Sequence, residues 1–176
     1  REVLDCELIF VCLPTPQVED GLECDTKTLV NFFEGIPTGY RQQNFVLRST
    51  VPIGFTRTTA EKMRMPNLVH SPEFLTARTA VEDAANPRIN VIGVPGGVLD
   101  EEKMTGCGGL LREVYLSRWS YGGPGAPRCL SSDESEAVKL IQNGFSAVKI
   151  AFFNEVYALL QKKGCDYGTV IEAILA

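Results

Sequence analysis

Apolar segments alternate with helical segments over about the first 95 residues, and no other feature limits the possible folds as strongly. The apolar runs are ELIFVCL, NFVL, NLVH and RINVIGV. The segments DTKTLVNFFEGI and VPIGFTRTTAEKM separate the first three runs and have apolar residues at helical spacing. This alternation predicts an α/β fold with a parallel sheet and right-handed crossovers. The first run is compact enough to form a strand buried on both faces.

Each connecting segment begins with residues that favour the start of a helix. Asp25 precedes the first segment and is a candidate N-cap. Ser49 and Thr50 are candidate caps for the second segment, in which Pro52 would occupy the first turn. Ligands of parallel sheets collect where the strands end. We therefore expect the polar turns CLPTP, RSTVP and HSPEF to lie along one edge of a single cleft.

A long helical pattern extends from about Ser131 to Gly164. Ser131, Ser132 and Asp133 are candidate caps, and the lysines of QKKG followed by Gly164 indicate the end. Such a helix would contain about 30 residues, which exceeds the usual length in globular proteins. One apolar stripe is expected to be its core face, and it consists of Val138, Ile141, Phe145, Val148, Phe152, Val156 and Leu159.

Lys139 and Asn143 lie one turn apart on another face of this helix, which is polar in its first half and apolar in its second. A helix that buries two faces usually lies between domains or between subunits. The amine and the amide would then face a gap between two bodies. The alternative is that both are solvated residues at an exposed helix end, and periodicity alone slightly favours that alternative.

The densest Gly/Pro cluster, YGGPGAPRC, predicts a linker in front of the long helix. We therefore expect three parts in the chain. These are an α/β part over residues 1–120, a linker over residues 121–132, and a helical part over residues 133–176.

Composition excludes several classes of function. The formal net charge is -5 and basic residues are not clustered, which disfavours nucleic acid and anionic membranes as partners. No apolar run is long enough to span a membrane. The six cysteines form no Cys-x-x-Cys pair and there is one histidine, so no metal site is expected. Reduced thiols in the cytoplasm are the expected state of these cysteines.

Four groups of residues occur in an order and spacing that resemble the UDP-glucose/GDP-mannose dehydrogenase family. They are FVCLPTP, RSTVPIG, SPEFL with NPRINVIG after it, and EAVKLIQNGFSAVKIAFFNEV with GCDYGTV after it. The resemblance covers the chain except for about residues 94–129. It implies the second half of a Rossmann-like NAD-binding domain, which is a partial parallel sheet with flanking helices, followed by a long central α-helix that also builds a dimer.

The resemblance further implies an NAD-dependent UDP-sugar 6-dehydrogenase, which oxidises the primary alcohol of UDP-glucose or a related nucleotide sugar to a uronic acid. In this family an aldehyde intermediate is trapped on a cysteine, oxidised to a thioester and hydrolysed. NAD is the implied cofactor. The implied partners are the nucleotide sugar and a second copy of the chain, and the implied location is the cytoplasm.

The resemblance also assigns candidate site residues by position. Those that resemble the lining of the NAD site are Leu13, Pro14, Thr15, Pro16, Ser49, Thr50 and Val51. Those that resemble contacts to the nucleotide sugar are Glu73, Phe74, Leu75, Lys139 and Asn143.

Four of these positions resemble catalytic residues. Thr50 resembles a threonine that holds a catalytic water, and Glu73 resembles a carboxylate that handles protons during hydrolysis. Lys139 and Asn143 resemble an amine and an amide that reach the reacting carbon, where positive charge and donors stabilise an oxyanion. Without the resemblance, the favoured interpretation is that Thr50 is only a helix cap and Glu73 only a solvated loop acid. His70 is expected to be a structural residue in a strand.

Three departures from the family pattern limit this interpretation. No Gly-x-Gly-x-x-Gly precedes a helix, and the chain stops before the family's cysteine-containing segment, which Cys165 does not replace. Ala77 stands where the family usually has a second Glu, and Arg78 follows where Gly is common. The expectation is therefore that this chain alone is incomplete and inactive. The alternatives are a non-catalytic homodimerising remnant and a hydroxy-acid dehydrogenase of related fold.

Overall fold

A five-stranded sheet organises the first part of the chain in the computed structural model, which describes residues 2–18, 24–97, 104–118 and 125–175. The strands lie in chain order across the sheet: β1 Ile9–Val11, β2 Phe45–Leu47, β3 Leu68–His70, β4 Val91–Val94 and β5 Arg128–Ser131. The α-helices are α1 Lys27–Glu34, α2 Phe55–Met63, α3 Ala80–Ala85, α4 Gly106–Arg118, α5 Ser132–Lys163 and α6 Tyr167–Leu175. Short 3-10 turns occupy Glu2–Asp5 and Thr38–Tyr40. The predicted α/β class with a long helix is confirmed.

Strands β1, β2 and β3 are parallel, as the alternation of strands and helices predicted. The prediction of a fully parallel sheet was wrong in one respect. Strand β4 runs antiparallel to β3, and β5 is parallel to β4. The connection between β3 and β4 contains only the six-residue α3. A helix of that length spans about 9 Å, which is too short to cross the sheet and return the chain in the parallel direction.

Two apolar layers cover the sheet. Phe45 and Leu47 of β2 belong to one layer, together with Leu29 and Phe33 of α1 and Met63 of α2. The second layer contains Val46, Val69, Ile92, Cys107, Leu111 and Tyr115, the last three being on α4. The central strand β2 is therefore buried on both faces.

Strand β1 differs from the prediction of burial on both faces. Ile9 and Val11 are buried, but Phe10 is 47% exposed. This strand lies at the edge of the described sheet, and no described neighbour pairs with its outer side. Because β1 is an edge strand, its apolar residue Phe10 is left exposed.

Helix α2 begins later than the sequence indicated. Its first residue is Phe55 and its N-cap position is Gly54, with a φ of 90° that favours glycine. The cap comes from the distant Glu136 on α5, whose carboxylate accepts hydrogen bonds from the N–H groups of Gly54 (2.5 Å) and Thr56 (2.7 Å). Ser49 and Thr50 therefore do not cap this helix.

The start of α1 also differs from the prediction that Asp25 is its N-cap. Thr26 occupies the N-cap position, while Asp25 Oδ1 accepts the Lys27 N–H at 2.9 Å.

The long helix α5 closely matches its prediction. Ser131 and Glu134 form a capping box, in which the Glu134 N–H donates to Ser131 Oγ (3.2 Å) and the Ser131 N–H donates to Glu134 Oε2 (2.8 Å). Gly164 ends the helix with a φ of +66°.

The chain divides into two compact units, residues 1–140 and residues 141–176. Residues 128–131 form β5 inside the sheet, so that part of the predicted linker belongs to the first unit because it pairs with β4. Residues 121–124 of that linker lie outside the described residues.

The predicted core face of α5 is not buried in this chain. Its exposed members are Ile141 (70%), Phe145 (58%), Val148 (65%), Phe152 (60%) and Leu159 (56%). Periodicity correctly identified one apolar face, but it could not identify which surface covers that face. The second unit contains only the rest of α5 and the nine-residue α6.

Candidate active site

The carboxyl ends of β1, β2 and β3 meet at one edge of the sheet, because the three strands are parallel. They border a groove of about 530 Å³ within the first unit. Its lining consists of Cys12, Leu13, Pro14, Thr15, Arg48, Ser49, Thr50, Glu73 and Leu75. The three polar turns of the sequence therefore border one groove.

Two hydrogen bonds fix the turns that follow β1 and β2. The Ser49 hydroxyl donates to the Leu13 carbonyl at 2.6 Å, and the Thr15 hydroxyl donates to the Thr50 carbonyl at 2.7 Å. Because each bond joins one turn to the other, the two strand ends form a single rigid wall of the groove.

Five of the seven residues predicted to line a cofactor site contact this groove: Leu13, Pro14, Thr15, Ser49 and Thr50. Val51 does not, because its side chain is 1% exposed and packs in the apolar layer with Leu47. Pro16 also lies away from the lining, and its carbonyl accepts the Asp25 N–H at 2.7 Å. A pocket of several hundred Å³ is large enough for part of a dinucleotide. The described residues thus fit one portion of NAD.

The structure brings Glu73 and Lys139 into direct contact. Lys139 Nζ donates to the Glu73 carbonyl at 2.5 Å and lies 3.0 Å from Glu73 Oε1. Lys139 is 5% exposed, so it is not the solvated residue that periodicity alone slightly favoured. Its ammonium also lies 5.3 Å from the centre of the Phe74 ring. Lys139 therefore ends at the loop after β3, where the candidate carboxylate is located.

Glu73 is held in its ionised form. Partial burial opposes ionisation, but the Leu75 N–H, which donates to Oε2 at 2.7 Å, and the Lys139 ammonium together lower the pKa of Glu73 below its ordinary value. An anionic carboxylate beside a buried ammonium can accept a proton from water, as general-base catalysis requires.

Asn143 belongs to the second unit and is exposed. It lies on α5 one turn beyond Lys139, as the sequence predicted. Phe74 does not line the groove of about 530 Å³ but contributes to a neighbouring cavity of about 280 Å³, to which Glu73 and Leu75 also contribute.

His70 lies in β3 and is fully buried, as expected of a structural residue. Its Nδ1 is 2.9 Å from Ser135 Oγ on α5, and its Nε2 is 3.3 Å from the Ser49 carbonyl. Desolvation by burial lowers the pKa of His70 to about 4, so the ring is neutral near pH 7. The neutral ring connects the end of β2 with the helix that carries Lys139.

Sequence reasoning missed two charged residues, of which one lines the groove and the other caps α2. Arg48 precedes Ser49 in the sequence and lines the groove. The signal that could have identified it was a cation at the end of an apolar strand. Glu136 was overlooked because an acid on a helix is ordinarily a solvated residue, whereas here it is fully buried.

Other kinds of site are not found in the described part of the chain. Its histidine, cysteine and acidic side chains form no group of three or more that could hold a metal ion. None of the six cysteines is joined in a disulfide. No described helix is sufficiently long and apolar to cross a membrane.

Three parallel strands with a groove at their carboxyl ends, a helix-borne lysine and a loop carboxylate are features of a Rossmann-like dehydrogenase domain. The chain belongs to the UDP-glucose/GDP-mannose dehydrogenase family. Residues 1–116 match the NAD-binding domain of this family, and residues 133–176 match its central domain. NAD is therefore the cofactor that the family membership supports.

Individual relatives agree with this assignment. UDP-glucose 6-dehydrogenase of Campylobacter jejuni is 30% identical over 98% of this chain. The solved structure of a UDP-glucose dehydrogenase from Pyrobaculum islandicum is 28% identical, with a TM-score of 0.78 over 98% of this chain. A GDP-mannose dehydrogenase ternary complex from Pseudomonas aeruginosa is 26% identical, with a TM-score of 0.77 over the same share. The chain spans 41%, 39% and 40% of these three proteins, respectively.

Proposed function

We propose that this chain is part of an NAD-dependent UDP-sugar 6-dehydrogenase, which oxidises the primary alcohol of UDP-glucose or a related sugar to a carboxylate. The contact between Lys139 and Glu73 beside the strand-end groove is the observation that supports this proposal best. It brings a buried ammonium into contact with an ionised carboxylate that lines the groove. The names of the relatives favour UDP-glucose within the family.

In the proposed reaction NAD would supply the hydride acceptor for each of the two oxidation steps, and the turns that contain Leu13 and Thr50 would hold part of it. The Lys139 ammonium stabilises the negative charge that develops on the sugar oxygen, because a buried cation acts in a site with little water. Asn143 is a second candidate donor by its position in the family pattern alone. Glu73 accepts a proton from the attacking water, and Thr50 holds that water.

The chain with residues 1–176 alone is proposed to be inactive, because its sequence has neither a Gly-rich pyrophosphate turn nor the family's cysteine segment. We propose the cytoplasm as the location of the reaction, where the six cysteines of this chain would stay reduced.

The decisive experiment uses the natural protein as its gene encodes it. We expect NADH formation with UDP-glucose, and Lys139→Ala is expected to lower kcat by about two to three orders of magnitude, the usual loss when a group that stabilises an oxyanion is removed. Lys162→Ala is the matched control, since this lysine lies exposed in the last turn of α5. A wild-type protein that oxidises a 3-hydroxy acid but no nucleotide sugar would refute the proposal and favour the hydroxy-acid alternative.

We further propose that the exposed apolar face of α5 forms a homodimer. This face carries Phe145 and Phe152, which are 58% and 60% exposed in the single chain. A row of large apolar side chains over several turns is unusual on a monomer surface.

Sedimentation of the chain tests this proposal. The wild type is expected to be a dimer, and Phe145→Gln together with Phe152→Gln is expected to give a monomer. Val81→Gln is the control, because this valine is 88% exposed but belongs to α3 in the first unit and not to α5. A wild-type monomer at high concentration would contradict the dimer. A dimer whose melting temperature responds to neither NAD nor UDP-glucose would favour the non-catalytic assembly alternative.

A further inference from the structure

Arg48 has a fixed position at the end of β2. Its Nη1 donates to Tyr115 Oη at 3.0 Å and to Ser71 Oγ at 3.4 Å. Ser71 and Tyr115 are themselves buried, at 0% and 8% exposure, and their hydroxyl groups are 2.9 Å apart. The guanidinium is therefore held by two rigid neighbours, unlike a surface arginine that samples many rotamers.

Most of the hydrogen-bonding capacity of Arg48 is unused within the described part of the chain. A guanidinium has five N–H donors in a planar fork. Only Nη1 donates to described residues, and no described carboxylate forms an ion pair with Arg48. By comparison, Arg57 donates through Nε and Nη2 to Asp133. The free edge of Arg48 is thus preorganised without a counterion.

The free edge borders two neighbouring cavities. Arg48 lines both the groove of about 530 Å³ and the cavity of about 280 Å³. The smaller cavity also has aromatic walls, to which Phe10, Phe74 and Tyr115 contribute. A ligand in either cavity could therefore reach the guanidinium.

Glu73 is the nearest candidate for a competing anion, since it lines the same two cavities. Its carboxylate is already bound by Lys139 and by the Leu75 N–H. The positive charge of Arg48 also favours the ionised form of Glu73, but from beyond ion-pair distance. Arg48 consequently remains available to an anion from outside.

We propose that Arg48 binds an oxyanion group, either a carboxylate or a phosphate, of a ligand at the junction of these two cavities. Its fork matches the two oxygens of such a group in bidentate geometry. The identity of the natural ligand rests on the proposed function, whereas the anion site itself does not. The net charge of -5 disfavours general attraction of anions, so binding must come from a local site.

An NMR titration of the chain with inorganic phosphate tests the site. We expect a saturable shift of the Arg48 Nε–H signal. Arg48→Lys keeps the charge but loses the fork, and is expected to weaken binding about tenfold, whereas Arg48→Gln abolishes it. Tyr115→Phe keeps Arg48 but removes one holding hydroxyl, and a severalfold loss is expected. Lys62→Gln is the control, because it removes the same charge on α2 from a lysine that lines neither cavity.

Equal phosphate binding by the wild type and Arg48→Gln would overturn the proposal, as would the absence of saturable binding by the wild type. Should Arg48→Gln fail to fold, Arg48→Lys and Tyr115→Phe still give a decision, because unchanged binding in both contradicts the site. These results do not depend on turnover, so failure of the anion site and failure of the dehydrogenase proposal are distinguishable.

A second titration identifies the source of the oxyanion. If Arg48 binds the carboxylate of the sugar product, Arg48→Lys weakens UDP-glucuronate but leaves UDP-glucose unchanged. If it binds a phosphate of the sugar nucleotide, both are weakened equally. If it binds the cofactor's pyrophosphate, NAD is weakened and the sugar nucleotides are not. Unchanged affinity for all of these ligands and for phosphate would refute the site.

Discussion

The Lys139 ammonium lies 3.0 Å from the Glu73 carboxylate, although 66 residues separate them in the chain. This pair links the loop after β3 to the long helix and lowers the pKa of Glu73 against the opposing effect of burial. The ionised state of the Glu73 carboxylate therefore depends in part on the Lys139 ammonium.

Replacing Lys139 with Met tests this dependence, because Met retains most of the apolar stem but has no charge. We expect the pKa of Glu73 to rise toward its ordinary value, since desolvation and the Leu75 N–H bond would remain while the ammonium is lost. NMR titration of the Glu73 carboxyl group measures the change. Lys62→Met serves as a control, and an unaltered Glu73 titration in Lys139→Met would contradict the coupling.

His70 gives a pH dependence that can be assigned without ambiguity, because it is the only histidine in the sequence. Burial lowers its pKa from 6.5 to about 4 in the folded chain. Between these values the unfolded chain binds a proton that the folded chain does not. The free energy of unfolding therefore falls as the pH drops from about 6.5 to about 4, by up to about 3 kcal/mol.

Urea unfolding of the wild type and His70→Gln over this pH range measures that contribution. The variant is expected to lack the pH dependence that His70 causes. The difference in the free energy of unfolding between the two proteins therefore narrows as the pH falls. A parallel pH dependence in both proteins, or an NMR titration of His70 near 6.5, would show that the ring is not buried in its neutral form.

Glu136→Gln tests the distant cap of α2. The amide has only one acceptor oxygen for the two N–H groups of Gly54 and Thr56, and its NH₂ group would face a donor. Leaving a buried donor unsatisfied costs about 1–3 kcal/mol, which thermal or urea unfolding would measure. Asp133→Asn provides the contrast, because its pair with Arg57 is exposed and such pairs contribute about 1 kcal/mol or less. Similar losses in both variants would argue against the capping role.

Two glycines on or facing α5 are expected to respond oppositely to substitution by alanine. A Cβ at Gly93 of β4 would collide with Ser135 Cβ and lie 3.0 Å from Ser132 Cα, so Gly93→Ala is expected to destabilise the chain by about 1–3 kcal/mol. Gly144 is within α5 and has no heavy atom near the position of a Cβ. Gly144→Ala should therefore raise the free energy of unfolding of the chain by about 0.5–1 kcal/mol. Calorimetry of both variants is the measurement, and a stabilising Gly93→Ala would contradict the close packing of α5 on β4.

Local sequence patterns predicted the elements whose causes are local. The capping box of α5 and the glycine at its end were visible in the sequence, because they depend on residues within one turn. The meeting of Thr50 and Glu73 at one groove also followed from the pattern, since parallel strands end at the same edge.

The features that sequence missed depend on partners far along the chain. The delayed start of α2 is determined by Glu136, some 80 residues away, and the antiparallel β4 by the short α3. Likewise, the burial of Lys139 depends on the loop after β3, which periodicity of the helix alone could not include. Helix α4 escaped detection because its glycines, at positions 106, 108 and 109, suggest a loop.

The Glu136 cap has a consequence for the order in which this protein is made. Ribosomes synthesise the segment of α2 well before the segment that caps it, so a nascent chain that ends before Glu136 leaves the Gly54 and Thr56 amides without their acceptor. The first unit can therefore complete its fold only after the start of α5 has emerged, and until then α2 begins without its cap. Synthesis thus imposes a waiting period on α2, although strands β1 to β4 are available earlier.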